Sequence, residues 1–514
     1  MTIKLPRLFI LMLILTVSGC GKRNALLEKP VVGIANDALL QKPIVGIMQN
    51  DQVPILIKGV SKGKVRINYG KTDDSNTAST EWKNLSNSDD FSASLILNDL
   101  EYDTGYKYQV EFASGEHSEW FEFKSFPTQN EAGKFSFVFS ACQRENYLSN
   151  NIYKHIEMNS PTFIALLGDQ MYGDYDGNLN KLEEYLANDS LMQLAKEEGE
   201  TILSEKSVLQ AFRNKYHRTF GENFQKMSSS IPIMGIWDDH DYGKDNSDVT
   251  YPYKEEAQKV FKENYPSYPY EVEDGGIYYS FSIADVDFFV LDTRWYRSPM
   301  ENAEGESKTM LGDEQLTWLL NGLKQSSAPF KIIFSSVPMN DYGGDTSSGR
   351  EGYDSWMGYK YERNRIISFI SDNNIRGVLV FSGDQHYPSA HILNWKSPLT
   401  AVSKTDSSIE YSLKDLGNAV FDFSASPLNY KVTTGHPLIS ENQENPEFSY
   451  EIYRVEWAKP ENKIEGAPRR VASVYGVAEF DTKMSPKKVS VKFFELDPET
   501  SELIELYQVV LTSE

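Results

Sequence analysis

The sequence predicts an α/β protein (an α+β sandwich) with a two-sheet core flanked by helices over residues 134–514, preceded by a small antiparallel β-sandwich over 44–128. Three observations carry this. Six continuously apolar runs recur along the chain: "FSFVFS" (135–140), "FIALLG" (163–168), "IPIMGIW" (231–237), "VDFFVLD" (286–292), "FKIIFSS" (330–336) and "GVLVFSG" (377–383). Such runs read as strands buried on both faces, in a sheet covered by helices. Segments with helical spacing lie between them, among them "GDEQLTWLLNGLKQS", "YERNRIISFISDNN" and the acidic stretch Leu179–Glu205, so strand and helix alternate. Before Pro127 the pattern is short alternating strands broken by Gly, Asn, Asp and Ser.

The chain begins with Lys4 and Arg7 ahead of an apolar core, Leu8–Val17, and then "VSGC". That is an export signal whose core is short for a bilayer span. "VSGC" resembles the lipobox of bacterial lipoproteins. The resemblance implies a signal peptide over 1–20, acylation of Cys20 and a lipid-anchored place in the cell envelope, at the outer membrane, which Gly21 after the cysteine favours, or periplasm-facing. Residues 21–43 read as a tether holding a tandem duplication, "ALLEKPVVGIAND" at 25–37 and "ALLQKPIVGIMQND" at 38–51. The second copy is the expected entry strand of the sandwich; a functional repeat would need more units. In the sandwich, "LNDLEYDTGYKYQVEF" resembles a fibronectin type III domain, with Tyr106 and Tyr108 as ordinary strand aromatics. After Thr400 the strands "AVFDFSAS", "VASVYGVAEFD", "KKVSVKFFEL" and "ELIELYQVVL" are expected to complete a second sheet.

Composition suits a large folded protein, with 40% hydrophobic and 13% aromatic residues. A formal net charge of −23 argues against nucleic acid as a partner and against adhesion to anionic lipid through basic patches. With Cys20 lipidated, Cys142 is the single remaining cysteine, so an intrachain disulfide is excluded. Cys142 is then either a small core residue or a nucleophile or metal ligand.

In open α/β sheets, ligands bind beyond the carboxyl ends of the strands. There the chain places Cys142; Asp169 and Tyr172 of "GDQMY"; Asp238, Asp239, His240 and Asp241 of "WDDHDYG"; and Asp384 and His386 of "GDQH". Singly each is a turn or a packing residue. Together, carboxylates, imidazoles, a thiol and a phenol at one edge would repel or stay unsatisfied without cations. Arg294 and Arg297 of "DTRWYRS" are either phosphate contacts or structural ion pairs, and Trp356 and Tyr359 of "SWMGY" are either pocket walls or loop packing. His391 reads as structural. No Gly-x-Ser-x-Gly element supports a serine hydrolase.

The ordered motifs "FSFVFSACQ", "LLGDQMYGD", "WDDHDYG", "FFVLDTRWYRS", "MLGDEQLTWL", "YDSWMGY" and "VLVFSGDQH" resemble those of the alkaline phosphatase D (PhoD-like) family, within the calcineurin-like metallophosphoesterases. The resemblance runs from about Val45 onward. It implies hydrolysis of phosphate monoesters or diesters by metal-activated water, with Cys142, Asp169, Tyr172 and Asp384 on Fe3+ and Asp169, Asp238, Asp239 and His386 on Ca2+ or another divalent ion. His240 and Asp239 are the implied catalytic residues and Arg294 the substrate contact. Either Asp245 or Asn246 takes the place of an Asn that relatives carry beyond the "DDH" element. The implied protein is a monomer acting on a phosphate ester. The rival reading is a surface-binding lipoprotein with an inactive phosphatase-like scaffold, since fold alone does not prove activity.

Overall fold

The six apolar runs all form strands, but they divide three and three between two sheets. The computed structural model describes residues 38–144, 151–173, 205–340, 354–394, 401–432, 443–444, 452–459 and 470–513. The export signal, the first copy of the duplication and, save for Glu205, the stretch Leu179–Glu205 lie outside the described residues. No described helix is long and apolar enough to cross a membrane.

In the first sheet, Phe163–Leu167 runs parallel to both Lys134–Ser140 and Ile233–Ile236. In the second, Val286–Val290, Phe330–Phe334, Val378–Ser382 and Val420–Ser424 are parallel neighbours. The division explains the burial of the runs on both faces, because each sheet is covered by the other on one side and by helices on the opposite side. Phe137 of the first sheet meets Phe288, Phe334 and Phe381 of the second edge to face, with ring centroids 6.0, 5.4 and 5.0 Å apart. On the far face of the second sheet, Leu316, Leu319 and Leu323 of the helix Gly312–Gln325 and Ile366, Ile367 and Ile370 of Lys360–Asp372 pack with Ile333, Val378 and Val380. These positions recur at helical spacing, which is why both segments fold as amphipathic helices.

The late strands do not form a sheet of their own; they extend both. Val474–Asp481 pairs antiparallel with Lys134–Ser140, and Lys488–Leu496 and Leu503–Thr512 continue outward from it, whereas Val420–Ser424 joins the second sheet. Short-range pattern cannot distinguish these destinations, since an alternating strand fits either edge.

The segment Ile44–Lys124 forms two antiparallel sheets. One holds Ile44–Val45, Val53–Lys58 and Ser92–Leu97; the other is built on Gly63–Lys71, Gly105–Phe112 and His117–Lys124. The second copy of the duplication supplies Ile44–Val45. Val53–Lys58 is buried throughout, and its last residue enters a network with two helices. The Lys58 Nζ donates to Asp90 Oδ2 at 2.8 Å and to Asn264 Oδ1 at 2.7 Å, and His217 Nε2 lies 2.6 Å from the same Asp90 oxygen. Beside it Arg213 pairs with Glu263 through both carboxylate oxygens at 2.7 and 2.6 Å. His217 and Arg213 stand on the helix Glu205–Thr219, Glu263 and Asn264 on Lys254–Asn264. Residues Ile34–Glu514 form one compact unit.

Candidate metal centre

The carboxyl ends of both sets of parallel strands meet at one place. Backbone bonds hold them in register there: Cys142 N donates to Gly168 O at 3.1 Å, Gln143 N to Asp169 O at 2.9 Å and Gly383 N to Ser336 O at 3.1 Å. The turns are tight enough to require glycine. Gly168 has φ +98°, and a Cβ there would stand 2.5 Å from that of Asp238; a Cβ on Gly383 would stand 2.3 Å from that of Ala141. Right after these glycines the chain places non-glycine residues in the left-handed region: Asp169 at φ 55°, Asp384 at 57° and His386 at 58°, with Cys142 at 62°. That conformation is uncommon for side chains other than Gly and clusters at functional sites.

The structure brings the expected residues together. Donor atoms within 4.8 Å of one another form four groups: Cys142, Asp169 and His386; Asp169, Asp239 and His240; Asp169, Asp238 and Asp384; and Asp238, Asp239 and Asp354. Asp169 belongs to three of the four. The Cys142 thiol donates to Asp169 Oδ2 at 3.6 Å, and Tyr172 Oη shares a 3.2 Å hydrogen bond with His386 Nε2. The Tyr172 ring packs against that of His240, tilted by 34°, with centroids 4.2 Å apart. Cys142, Asp169, Tyr172, Asp238 and Asp239 are buried, while Asp384, His386 and Asp354 are half-buried, so the site opens on their side.

Electrostatics make this cluster costly as it stands. Burial, reinforced by neighbouring carboxylates, pushes Asp169 and Asp384 well above the ordinary carboxylate range and raises the Cys142 thiol and the Tyr172 phenol in the same way. Asp238 is pushed up to about 6 by burial, against the pull of Arg294. Asp239 moves the other way: burial opposes its ionisation, but His240, Arg294 and the Asn246 backbone N–H, 2.7 Å from Oδ2, outweigh it. Asp169 Oδ1 and Asp238 Oδ2 are buried with no hydrogen-bond partner. Orphaned buried oxygens, close carboxylates and a thiol–phenol–imidazole set fit cations, which would satisfy the oxygens and remove the repulsion.

Other expected residues prove to be scaffolding. Asp241 Oδ1 accepts from the backbone N–H groups of Gln170 and Met171 at 3.0 and 2.9 Å, and Oδ2 from that of Asp238 at 3.1 Å, so it fastens the Asp169 turn to the Asp238 turn. Arg294 has no exposed surface; its Nε donates to Asp238 Oδ1 at 2.6 Å, and Nη1 and Nη2 donate to Asp354 at 2.9 and 3.1 Å. Arg297, equally buried, pairs with Asp354 at 2.9 Å and with the Tyr359 hydroxyl at 2.9 Å. The Trp356 indole donates to Ser335 Oγ at 3.1 Å. Buried His391 lies 3.3 Å from Ser389 Oγ. Of the two residues beyond "DDH", Asn246 uses its backbone on Asp239, and Asp245 lies 3.9 Å from His240 Nε2.

Sequence reasoning missed Asp354 and Tyr430. Asp354 lies in the quoted "YDSWMGY", but its pairing with Arg294 and Arg297, about sixty residues earlier, carries no local signal. Tyr430, whose ring stands 4.8 Å from that of Tyr172 and 5.1 Å from that of His386, carries no local signal.

Comparisons with known proteins bear on the family and the fold. The family model for the PhoD-like phosphatase matches residues 137–463. Alkaline phosphatase D of Bacillus subtilis (strain 168) is 26% identical over 314 residues, which is 56% of this chain and 51% of that protein. The chain thus aligns with about half the length of that curated relative. A solved structure of PhoD superposes with a TM-score of 0.67 at 18% identity, covering 94% of this chain and 92% of that one. The purple acid phosphatase PPD1 from yellow lupin (Lupinus luteus) seeds gives 0.55 at 10%, covering 93% and 75%. At these identities the two structures share the fold with this chain.

Proposed function

Since the chain belongs to the PhoD-like phosphatase family, we propose that it hydrolyses phosphate esters at this centre with bound metal ions. The observation that carries the proposal is Asp169, shared by three donor groups and left with one buried oxygen unpartnered. A carboxylate so placed is suited to bridging two cations. Cys142, Asp169, Tyr172 and Asp384 would hold Fe3+, for which thiolate and phenolate donors are suited; Asp169, Asp238, Asp239 and His386 would hold Ca2+. The donor atoms of His386 group with those of Cys142 and Asp169, and those of Asp384 with Asp169 and Asp238, so the two sets of ligands would interleave around Asp169. Bound ions supply charge stabilisation for phosphoryl oxygens and activation of water at neutral pH.

The chain's own residues set the geometry for that chemistry. Asp241 and Arg294 fix the Asp238–Asp239 turn, and the half-buried side of the site admits the ester. His240, packed against Tyr172 and adjacent to Asp245, is placed to donate a proton to the leaving oxygen. Arg294 acts as a positioning residue, because its guanidinium is held by two carboxylates.

The test is hydrolysis of a chromogenic phosphomonoester and its matching diester by protein lacking residues 1–20, with metal content measured in parallel. Turnover that a chelator removes and calcium restores supports the reading; a folded, metal-loaded protein inert toward both esters overturns it. Cys20 is proposed to be acylated, anchoring the protein in the cell envelope. Incorporation of labelled palmitate that is lost in Cys20→Ala would support this.

A further inference from the structure

The two arginines buried against this centre are engaged by Asp238 and Asp354 and have no exposed surface. An anionic ester approaching a chain of formal charge −23 therefore gains no guanidinium from Arg294 or Arg297. A third arginine stands on the open side. Arg144 follows Cys142 by two residues, and its backbone N–H donates to Asn429 O at 3.2 Å, fastening it beside the Cys142 turn. Its guanidinium lies over the Tyr430 ring, 5.6 Å from the centroid, and Nη1 donates to the Tyr430 hydroxyl at 3.2 Å. Tyr430 in turn packs on Tyr172 and on the half-buried His386. The side chain of Arg144 is itself partly exposed.

We propose that Arg144, carried on Tyr430, is the substrate-binding arginine of this site and contacts the non-bridging oxygens of the phosphate group. The inference rests on the phosphoesterase reading above. A planar guanidinium matches phosphate through two parallel hydrogen bonds, and an aromatic ring beneath it fixes the plane and limits the rotamers lost on binding. Tyr430 is the positioning residue: it contacts Arg144 as well as Tyr172 and His386, so phosphate binding and the candidate ligands share one support.

The test uses the metal-loaded protein without residues 1–20 and two readouts: steady-state kinetics on the phosphomonoester, and calorimetric binding of inorganic phosphate. Arg144→Ala is expected to raise KM and the phosphate dissociation constant together by at least about 10-fold, the scale of losing one charge-assisted hydrogen bond. Arg144→Lys should restore part of the affinity, since it keeps the charge without the planar fork. Tyr430→Phe, which keeps the ring and loses the hydroxyl, should give an intermediate rise in KM. Unchanged phosphate affinity in Arg144→Ala, or a fall in kcat alone accompanied by loss of bound metal, overturns the proposal. If wild-type protein binds phosphate but turns over neither ester, the hydrolytic reading fails while the effect of Arg144→Ala on phosphate affinity still decides this inference.

Discussion

Two buried charge clusters, one at the N-terminal sheets and one at the strand ends, have opposite balances. Around Lys58 each charge meets its complement: the ammonium and His217 share Asp90, Asn264 Oδ1 accepts a second hydrogen bond from the ammonium, and Arg213 closes on Glu263. At the strand ends five carboxylates converge and Arg294 reaches only some of them, leaving Asp169 Oδ1 and Asp238 Oδ2 without partners. Both clusters are buried and both are built from side chains distant in sequence. The first is complete as folded and ties the N-terminal sheets to two helices. The second is complete only with cations, and that incompleteness distinguishes a binding site from a structural one.

The contrast is sharpest in Asp169→Asn. Turnover should fall by roughly 100- to 1,000-fold, the scale of removing one preorganised electrostatic group. Thermal unfolding of the metal-free protein should shift upward, since a repelled buried carboxylate is gone; a drop in metal-free stability would break the comparison. Asp90→Ala should do the reverse. It leaves the fully buried Lys58 and the half-buried His217 without their shared anion, so denaturant unfolding should show a loss of about 3 kcal/mol, while kcat per folded, metal-loaded molecule stays unchanged. Chelation comes next in size. Stripping metal from wild-type protein should lower stability by about 2.7 kcal/mol for each ion that had been held at 100 times its dissociation constant, and Asp169→Asn should respond far less.

The smallest effect is one of pH. Burial lowers the pKa of His217 below its ordinary value, against the pull of Asp90, while burial raises Asp90 less than His217 and Lys58 depress it. The His217 contribution is thus full above the unfolded pKa near 6.5 and is lost as pH falls toward the lower folded value; that of Asp90 is full above about 3.9 and is lost at lower pH still. Stability should therefore decline on acidification in two stages, and His217→Gln should flatten the first. Unfolding midpoints measured from about pH 7.5 to about pH 2 check both stages.

What could be read from the sequence follows the range of the forces involved. A strand buried on both faces leaves a continuous apolar run, so all six were legible, and a Gly-Asp at a strand end marks both the close approach and the donor, as at Asp169 and Asp384. The partition of the strands between sheets was not legible, because Val474–Asp481 and Val420–Ser424 look alike locally and differ only in which edge awaits them. The same holds within the site. Asp241 and Asp239 are adjacent-but-one carboxylates on one short motif, yet the first faces backbone N–H groups and the second faces the cluster, a difference set by the turn at Asp169 some seventy residues away, roughly the distance recorded by the Gln170–Asp241 bond. Asp354 and Tyr430 reach the centre only through tertiary packing.

The pairing of Lys134–Ser140 with Val474–Asp481 has a consequence for synthesis. The strand that delivers Cys142 is made early, and one of its edges is left bare until a partner more than 300 residues later leaves the ribosome. Through that interval an apolar edge is open to the wrong neighbour. Because the closing contact is so non-local, the sheet around the centre is completed only after translation of nearly the whole chain, and a premature stop before Val474 would yield every donor residue yet leave the strand that carries the first of them paired on one edge alone.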